Sequence, residues 1–475
     1  MISSCWLYGD CVRIPTIFIA GSIFWPFVAV FCVGIVMSTL TPVTMDYHWM
    51  PFTANRDFKS APRVVTRAEG LYYFGANGEP ILDGSSGLFT CALGHCHPDI
   101  VSAIREQAGQ LDYNPSFNLA NPLGFKLAES LGHILPEGMD RVFFANSGSE
   151  AVDTAMKIVM AYHRARGEAQ RSVFVSRERA YHGVNIGGTS LSGMVNNRRK
   201  FGNLIPGVAF LRHTLLPEHR LQRGQPAEGG VDLANDLQRL VDNYGGENIA
   251  ACFVEPIAGS WGTIVPPVGY LQRLREICDQ HGILLVFDEV ITGFGRTGHA
   301  FAADAFAVKP DIMTMAKAVT NGAVPMGVVA VRREIQDAVV NAGPDRAPEL
   351  FHGYTYSAHP LACAAGLATL SVYKRDDVFG QAQRMSPYFL DAMFGLAEEF
   401  DVVRDVRGFG MMVGLELQPS DAPGARGTDF YQQAFHQGLH IKCTGDNAII
   451  APALNAERSH IDELTDKLRT QLKRY

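Results

Sequence analysis

The chain has 475 residues, of which 47% are hydrophobic, and a formal net charge of -7. This length allows two or three domains whose cores need no disulfide bonds. The acidic balance and the lack of a long basic run argue against nucleic-acid binding. The nine cysteines lack the paired spacing of a metal site and indicate reduced thiols in a cytoplasm.

Residues 1–44 form an apolar leader, because no charged residue occurs from Ile14 to Met45. Its most apolar part, from Ile17 to Val36, is long enough to cross a bilayer. A signal-anchor, a cleaved leader and a true start at or near Met45 are the three alternatives. We expect the third, because the sequence becomes abruptly polar after Met45. The protein is then cytoplasmic, and it is membrane-anchored only if the leader is retained.

Apolar runs that alternate with helical sequence predict an α/β fold with a mostly parallel central sheet. The expected buried parallel strands are Ile249–Val254, Ile283–Phe287 and Val328–Val331, with a helix at Leu271–Gln280. Further strand candidates are Arg141–Phe144, Val173–Val175, Met411–Leu417 and Ile449–Ala451. From about Cys363 onward the sequence mixes helical stretches with the last two of these strand candidates, which predicts a smaller α+β domain there.

A glycine-containing turn at residues 146–150 follows one predicted strand and opens a helix. Ser147 and Glu150 have the spacing of a capping box. The free N–H groups and the dipole of a helix N-terminus favour an anion. Ser147, Gly148 and Ser149 therefore predict a phosphate site, with an ordinary capped helix as the alternative.

Two charged residues stand at the ends of apolar strands. Asp288 needs a cationic partner there, because an unpaired carboxylate is costly in apolar surroundings. A protonated pyridinium nitrogen would serve, and capping of the next turn is the alternative. Lys317 is either a lysine that reaches solvent or a desolvated amine suited to Schiff-base chemistry. The order of phosphate turn, acidic strand end and strand-end lysine favours the chemical interpretation.

Two aromatic and polar segments complete the candidate site. Tyr181, in the run 180–183, follows a strand and is suited to stacking on a flat heteroaromatic ring, with core packing as the alternative. The run 352–360 is rich in hydrogen-bond donors, and its Thr355 is suited to a phosphate contact. A solvated surface loop is the alternative for that run.

The motifs, taken in order, resemble one family. They are NSGSE at 146–150, AYHG at 180–183, VEPIAGS at 254–260, FDEVITGFGRTG at 287–298, a strand-end lysine, and GYTYSAHP at 353–360. From Tyr47 onward the chain resembles the class III (ω-) aminotransferases, fold-type I of the enzymes that use pyridoxal 5′-phosphate (PLP). It is most similar to the ω-amino-acid–pyruvate branch, which includes β-alanine–pyruvate transaminases. The resemblance implies a large domain over residues 111–362 and a small α+β domain built from 45–110 and 363–475.

The resemblance also implies roles for the residues around the cofactor. Lys317 would hold PLP as a Schiff base and then move a proton, while Asp288 would pair with the pyridine nitrogen. Val290 and Tyr181 would pack on opposite faces of the ring. Glu255 would help to orient the region of Asp288. The remaining contacts would come from His182 beside the tyrosine turn, from Gly148 and Ser149 at the phosphate, and from Thr355, which would reach the phosphate of a neighbouring subunit in a homodimer or tetramer.

Four residues are candidates for the substrate pocket. Trp49 matches an N-terminal segment that lines the channel in this branch, and Phe89 stands where relatives often carry tryptophan. Trp261 is bulky enough to narrow the site, with core packing as the alternative for all three aromatic residues. In this branch an arginine commonly stands at Lys442 and clamps the carboxylate of the oxo acid, and lysine offers a point charge where arginine offers a fork. The alternative for Lys442 is a residue that only tops a surface strand. Arg407 is either a second anion contact or a structural ion-pair residue.

The expected reaction is amino transfer from an ω-amino acid such as β-alanine, or from a primary amine, to pyruvate. A related transaminase that acts on a diamine, taurine or 4-aminobutyrate, with 2-oxoglutarate as acceptor, is the first alternative. A PLP decarboxylase or aminomutase is the second, and a non-catalytic PLP-fold module is the third. The intact set of Lys317, Asp288 and Thr355 argues against the last of these.

Overall fold

The computed structural model describes residues 44–475, which divide into a unit that ends at Pro62 and a unit that spans Arg63–Tyr475. The predicted apolar leader lies outside the described residues, except for residue 44. In the first unit, the described segment contains helix α1 (Asn55–Ser60). The Asn55 side chain organises this segment, since it accepts from Met50 N at 2.9 Å and donates to Thr53 O at 2.9 Å. None of the helices between residues 44 and 475 is long and apolar enough to cross a membrane.

The second unit alternates strands and helices along most of its length. Its strands are β1 (Val65–Glu69), β2 (Tyr72–Gly75), β3 (Pro80–Asp83), β4 (Arg141–Ala145), β5 (Val173–Arg177), β6 (Val208–Leu211), β7 (Ile249–Val254), β8 (Leu284–Asp288), β9 (Ile312–Met315), β10 (Gly327–Val331), β11 (Val403–Phe409), β12 (Met412–Leu417), β13 (Leu439–His440), β14 (Lys442–Thr444) and β15 (Asn447–Ile450). Its α-helices are α2 (Ser86–Phe89), α3 (Pro98–Gln110), α4 (Pro122–Gly132), α5 (Gly148–Ala165), α6 (Ile186–Leu191), α7 (Val195–Arg198), α8 (Gly230–Ala234), α9 (Asp236–Tyr244), α10 (Tyr270–His281), α11 (Ala302–Ala305), α12 (Arg333–Asn341), α13 (Pro360–Arg375), α14 (Val378–Glu399), α15 (Ala425–His436) and α16 (Arg458–Leu472).

The core is a seven-stranded sheet in the order β4-β10-β9-β8-β7-β5-β6. Strands β5 to β9 pair in parallel, as the alternation of apolar runs with helices predicts. Every residue of β7, β8, β9 and β10 is buried, because helices cover both faces of a parallel sheet. The carboxyl ends of the parallel strands β5 to β9 meet at one edge, where ligands bind in open α/β sheets.

The predicted parallel direction of Val328–Val331 is wrong. This segment lies in β10, which is antiparallel to both β4 and β9. A continuous apolar run indicates that a strand is buried on both faces, but it does not indicate whether that strand is parallel or antiparallel to its neighbours. The connection from β9 to β10 spans residues 316–326 and contains only a turn of 3-10 helix, so it is too short for a parallel crossover.

Two smaller sheets surround the central one, in the orders β1-β2-β3-β13 and β11-β12-β15-β14. Strand β13 pairs in parallel with β3, so residues 439–440 lie beside residues 82–83. Segments from both ends of the second unit therefore share one sheet. The predicted α/β fold class is confirmed, and the domain boundaries at residues 110 and 362 stay predictions.

Candidate active site

The turn between β4 and α5 presents hydrogen-bond donors at a helix N-terminus. Ser147 caps the helix, since its Oγ accepts from Glu150 N at 3.1 Å. The Glu150 carboxylate reaches back to Asn146 N at 2.7 Å, one residue earlier than a standard capping box. Among residues 44–475, no acceptor meets the N–H groups of Gly148 and Ser149. The dipole of this 18-residue helix and these two donors make the turn suitable for an anion.

Two glycines allow other segments to approach this turn closely. A Cβ on Gly148 would lie 3.0 Å from both methyl groups of Val290. A Cβ on Gly183, whose φ is +94°, would lie 2.5 Å from Ser149 Oγ. Ser149 Oγ also accepts from Val184 N at 3.0 Å, which leaves its own proton for a ligand. The structure thus brings the segments of Val290 and of residues 181–184 against the phosphate turn.

Asp288 lies at the carboxyl end of β8 and is 6% exposed. Its Oδ2 lies 2.8 Å from His182 Nδ1, and its Oδ1 accepts from Val290 N at 3.2 Å. His182 is buried, and its Nε2 has no partner among the described residues. The imidazole therefore holds the Asp288 carboxylate in place, and the sequence motif alone did not show this bond.

Glu255 follows β7 and holds the tyrosine turn by its backbone. Its Oε1 accepts from Tyr181 N at 2.9 Å, and its Oε2 accepts from Gly259 N at 3.1 Å. Burial, with the nearby charge of Asp288, raises the pKa of Glu255 above its ordinary value. Burial, followed by the charges of Asp288 and Glu255, raises the pKa of Tyr181. The direct bond to Asp288 comes from His182, whereas Glu255 bonds the backbone that carries Tyr181.

Lys317 follows β9 in a left-handed backbone conformation, with φ of +50°. Because Thr314 pairs with Asp288 across neighbouring strands, Lys317 and Asp288 emerge at the same edge of the sheet. Burial lowers the pKa of Lys317 to about 8, although the charges of Asp288 and Glu255 oppose this shift. An amine with such a pKa is partly neutral near pH 7, which suits it to nucleophilic and proton-transfer chemistry.

Two buried charged residues of the motif at 287–298 were not assigned from sequence. Glu289 accepts from Ala302 N and Ala303 N at 2.9 and 2.8 Å, and burial raises its pKa to about 7. Arg296 donates to Met411 O at 3.2 Å, and burial lowers its pKa to about 10. The positive charge of Arg296 also helps to lower the pKa of Lys317. A charged residue between closely spaced glycines was the only sequence signal for Arg296.

Phe89 and Lys442 lie outside the central sheet, Phe89 in α2 and Lys442 in β14. Phe89 is 5% exposed, and Lys317 Nζ lies 5.5 Å from the centroid of its ring. Lys442 starts β14, and its backbone N–H donates to Ser85 Oγ at 3.0 Å. Burial lowers the pKa of Lys442. In the described part of the chain, no carboxylate pairs with its ammonium group.

The other candidates lie in separate surroundings. Arg179 lies over the Trp261 ring, 5.3 Å from its centroid, and both residues line a cavity of about 310 Å³ with Asp405 and Glu416. Arg407 is buried against Asp405 and Glu416, so it is a structural ion-pair residue. Trp49 belongs to the first unit and is 89% exposed.

Thr355 is exposed in the loop between α12 and α13, and its carbonyl accepts from Tyr113 OH at 3.1 Å. The same loop packs on the first turn of α5, where Tyr354 OH donates to Glu150 O at 3.2 Å, and on β4, where Ser357 Oγ donates to Phe144 O at 2.8 Å.

These features fit a flat cofactor that carries a carbonyl and a phosphate. The free N–H groups at the start of α5 suit a phosphate, the buried carboxylate of Asp288 suits a protonated ring nitrogen, and the amine of Lys317 suits a carbonyl carbon. Such a site at the carboxyl edge of a mostly parallel sheet defines a PLP-dependent enzyme of fold-type I.

Comparison with known proteins identifies the family. The profile of the family described as Aminotransferase class-III matches residues 53–472. An omega-aminotransferase of Caulobacter vibrioides is 51% identical over 430 residues, which cover 90% of this chain and 97% of that protein. A beta-alanine–pyruvate aminotransferase of Pseudomonas aeruginosa is 47% identical over 421 residues, covering 88% and 94%. The chain belongs to the class III aminotransferase family.

A solved structure agrees with this assignment. The amine transaminase of an uncultivated Pseudomonas species, in its PLP-bound form, superposes with a TM-score of 0.83 at 33% identity. The match covers 90% of this chain and 98% of that one. The protein is thus an aminotransferase whose cofactor is PLP, as the sequence motifs predict.

Proposed function

We propose that this aminotransferase moves the amino group of an ω-amino acid such as β-alanine, or of a primary amine, to pyruvate. The observation that carries the proposal is the convergence of Lys317, Asp288 and the turn at 147–149 on one edge of the sheet. The relative from P. aeruginosa, 47% identical, is named for β-alanine and pyruvate. Its high coverage of both chains supports the same donor and acceptor classes here.

In this proposal, bound PLP would supply an electron-withdrawing ring that makes acidic the proton on the donor carbon bearing the amino group. Lys317 would hold the cofactor in the resting enzyme, and its amine, when free and neutral, would accept that proton as a general base and later return it as a general acid. Asp288 keeps the ring nitrogen protonated, and the His182 imidazole holds the Asp288 carboxylate in place. Tyr181 and Val290 confine the ring between them.

The phosphate contacts and the supporting turn complete the cofactor site. Ser147 caps helix α5, and its neighbours Gly148 and Ser149 direct N–H groups and a hydroxyl at the phosphate. Glu255 holds the backbone of the tyrosine turn in position by accepting a hydrogen bond from Tyr181 N.

Lys442 is proposed to bind the carboxylate of the oxo acid. Its partly buried ammonium group has no carboxylate partner in the described residues, so a substrate carboxylate would relieve the cost of that burial. Phe89 forms the wall beside Lys317. Trp261 is proposed to shape the channel through its contact with Arg179. The role of Trp49 stays a prediction from the sequence.

The active form is proposed to be a homodimer with shared sites. Exposed apolar side chains surround Thr355, and they are Phe117, Leu119, Phe125, Phe351 and Tyr356. Their segments are joined, since Ser116 Oγ donates to Ser357 O at 2.5 Å and the rings of Tyr113 and Tyr356 lie 6.0 Å apart. An exposed apolar patch of this kind indicates a protein interface. A second copy seated there would receive Thr355 at its phosphate site.

A reducing compartment is also proposed, because cysteines 91, 96, 252, 278, 363 and 443 are free thiols. The cytoplasm is such a compartment.

The experiment that tests the proposed acceptor is steady-state kinetics with β-alanine as donor and either pyruvate or 2-oxoglutarate as acceptor. We expect kcat/KM to be higher with pyruvate. A clear preference for 2-oxoglutarate would reject the proposal in favour of the 4-aminobutyrate type of transaminase.

A further inference from the structure

The loop that places Phe89 beside Lys317 has a costly backbone conformation. Within residues 84–91, Ser86, Gly87 and Phe89 have φ angles of +46°, +67° and +63°. Side chains of L residues disfavour this region, so such a conformation persists only where surrounding groups hold it. The groups that hold this loop therefore determine where the Phe89 ring lies.

The Asp83 carboxylate is the centre of those groups. Asp83 ends β3 and is 2% exposed. Its Oδ1 accepts from Ser85 N at 3.1 Å, and its Oδ2 accepts from Gly87 N at 2.5 Å. These two bonds define the turn that reverses the chain just before Phe89. An ionised carboxylate accepts such bonds more strongly than a neutral group does.

His95 supplies the counter-charge that a buried carboxylate needs. Its Nε2 lies 2.8 Å from Asp83 Oδ2, and its side chain is 9% exposed. Burial works against the charged imidazole, but hydrogen bonds to Asp83 and Cys91 raise the pKa of His95 to about 10. The Tyr73 ring lies 4.2 Å from the imidazole, and the ring of His440 also contacts Tyr73. The His95 imidazole is thus enclosed by protein and remains charged at neutral pH.

The same loop is attached to the strand that carries Lys442. Ser85 Oγ accepts from Lys442 N at 3.0 Å and donates to Ile449 O at 2.6 Å. Ser86 Oγ donates to Ala451 O at 2.7 Å. A shift of the loop would therefore change the position of Phe89 relative to Lys442 as well as to Lys317.

We propose that Asp83 and His95 act as a positioning pair that fixes the Phe89 wall and thereby determines which amines the enzyme accepts. This inference rests on the proposed function, because it assigns a donor-selecting role within that same site. Neither residue touches the substrate. Their effect is transmitted through the N–H groups of Ser85 and Gly87.

The first test compares two variants of His95 with a matched control. H95L removes both the charge and the donor, whereas H95Q keeps an N–H that can reach Asp83. The control is D311N, because Asp311 is also buried, accepts from Leu285 N at 2.7 Å and pairs with Arg275 at 2.7 Å. Asp311 precedes β9 and so lies at the opposite edge of the sheet from Lys317.

The readout is the ratio of kcat/KM for β-alanine to kcat/KM for benzylamine. We expect H95L to change this ratio about tenfold, mainly through KM, since small displacements of a positioning group are costly. H95Q should lie between H95L and the wild type, and D311N should keep the wild-type ratio. A folded H95L enzyme with an unchanged ratio would overturn the proposal, and H95Q serves the same purpose if H95L does not fold.

The second readout is amide hydrogen exchange in the cofactor-free protein. Residues 85–91 should exchange faster in H95L than in the wild type, and they should not do so in D311N. Equal exchange in all three proteins would contradict the positioning role. If the wild type transfers no amino group at all, the proposed function fails, while the exchange experiment still decides whether this pair holds the loop.

Discussion

Replacing Lys317 with methionine should stabilise the cofactor-free protein while it abolishes catalysis. Burial lowers the pKa of Lys317 from 10.5 to about 8. A shift of one pKa unit corresponds to about 1.4 kcal/mol. A protonated Lys317 therefore lowers the free energy of unfolding by at most about 3 kcal/mol. The effect is smaller to the extent that the side chain faces solvent. Methionine has a similar length and carries no such cost.

The sign of the pH dependence follows from the lowered pKa. Below about pH 8 Lys317 is protonated in both states, and the folded state bears the full cost. As the pH rises towards 10.5, the folded state loses its proton first and the cost disappears. The stability advantage of K317M should therefore be largest at pH 7 and small by pH 10.

The assay is urea unfolding of the cofactor-free wild type, K317M and the control K374M at pH 7 and pH 10, at one protein concentration. Lys374 is exposed on α13, so K374M should unfold like the wild type. A K317M protein that is no more stable than the wild type at pH 7, or whose advantage does not depend on pH, would refute this account of Lys317.

Three further predictions concern the roles of individual residues. D288N should lower kcat by about a hundredfold or more, because a neutral amide does not keep the ring nitrogen protonated. A near-normal rate constant for the half-reaction with the donor, measured by stopped-flow, would refute that role. K442R should lower KM for pyruvate about fivefold through a bidentate contact, and an unchanged KM would place the carboxylate elsewhere. K317A and T355D should each be inactive, yet an equal mixture after subunit exchange should recover about a quarter of wild-type activity, since half of the dimers carry one intact shared site. No recovery on mixing would argue that each subunit holds a complete site.

The sequence predicts the parts of the site that depend on strand ends and helix starts. Apolar runs precede Asp288, Lys317 and the turn at 147–149. Each such run forms a strand, and the carboxyl ends of parallel strands lie at the edge of the sheet where ligands bind. The reversed direction of β10 could not be predicted in this way, because burial on both faces gives the same apolar pattern in either direction.

Contacts between residues far apart in the sequence could not be predicted either. The bond from His182 to Asp288 joins residues 106 positions apart, and the bond from His95 to Asp83 depends on a loop conformation that residue types alone do not specify. Arg296 carries no signal of burial in its immediate sequence, yet it is among the largest of the buried side chains in the described residues. Such pairs are defined by tertiary packing, which a single sequence does not display.

The proposed function requires that the site around Lys317 transfer an amino group from a donor amine to pyruvate. The most direct measurement is the visible absorbance of the purified holoenzyme, recorded before and after addition of β-alanine and again after addition of pyruvate. We expect a cofactor band that fades with β-alanine and returns with pyruvate in the wild type, but not in K317A. A wild-type band that responds to neither compound would contradict it.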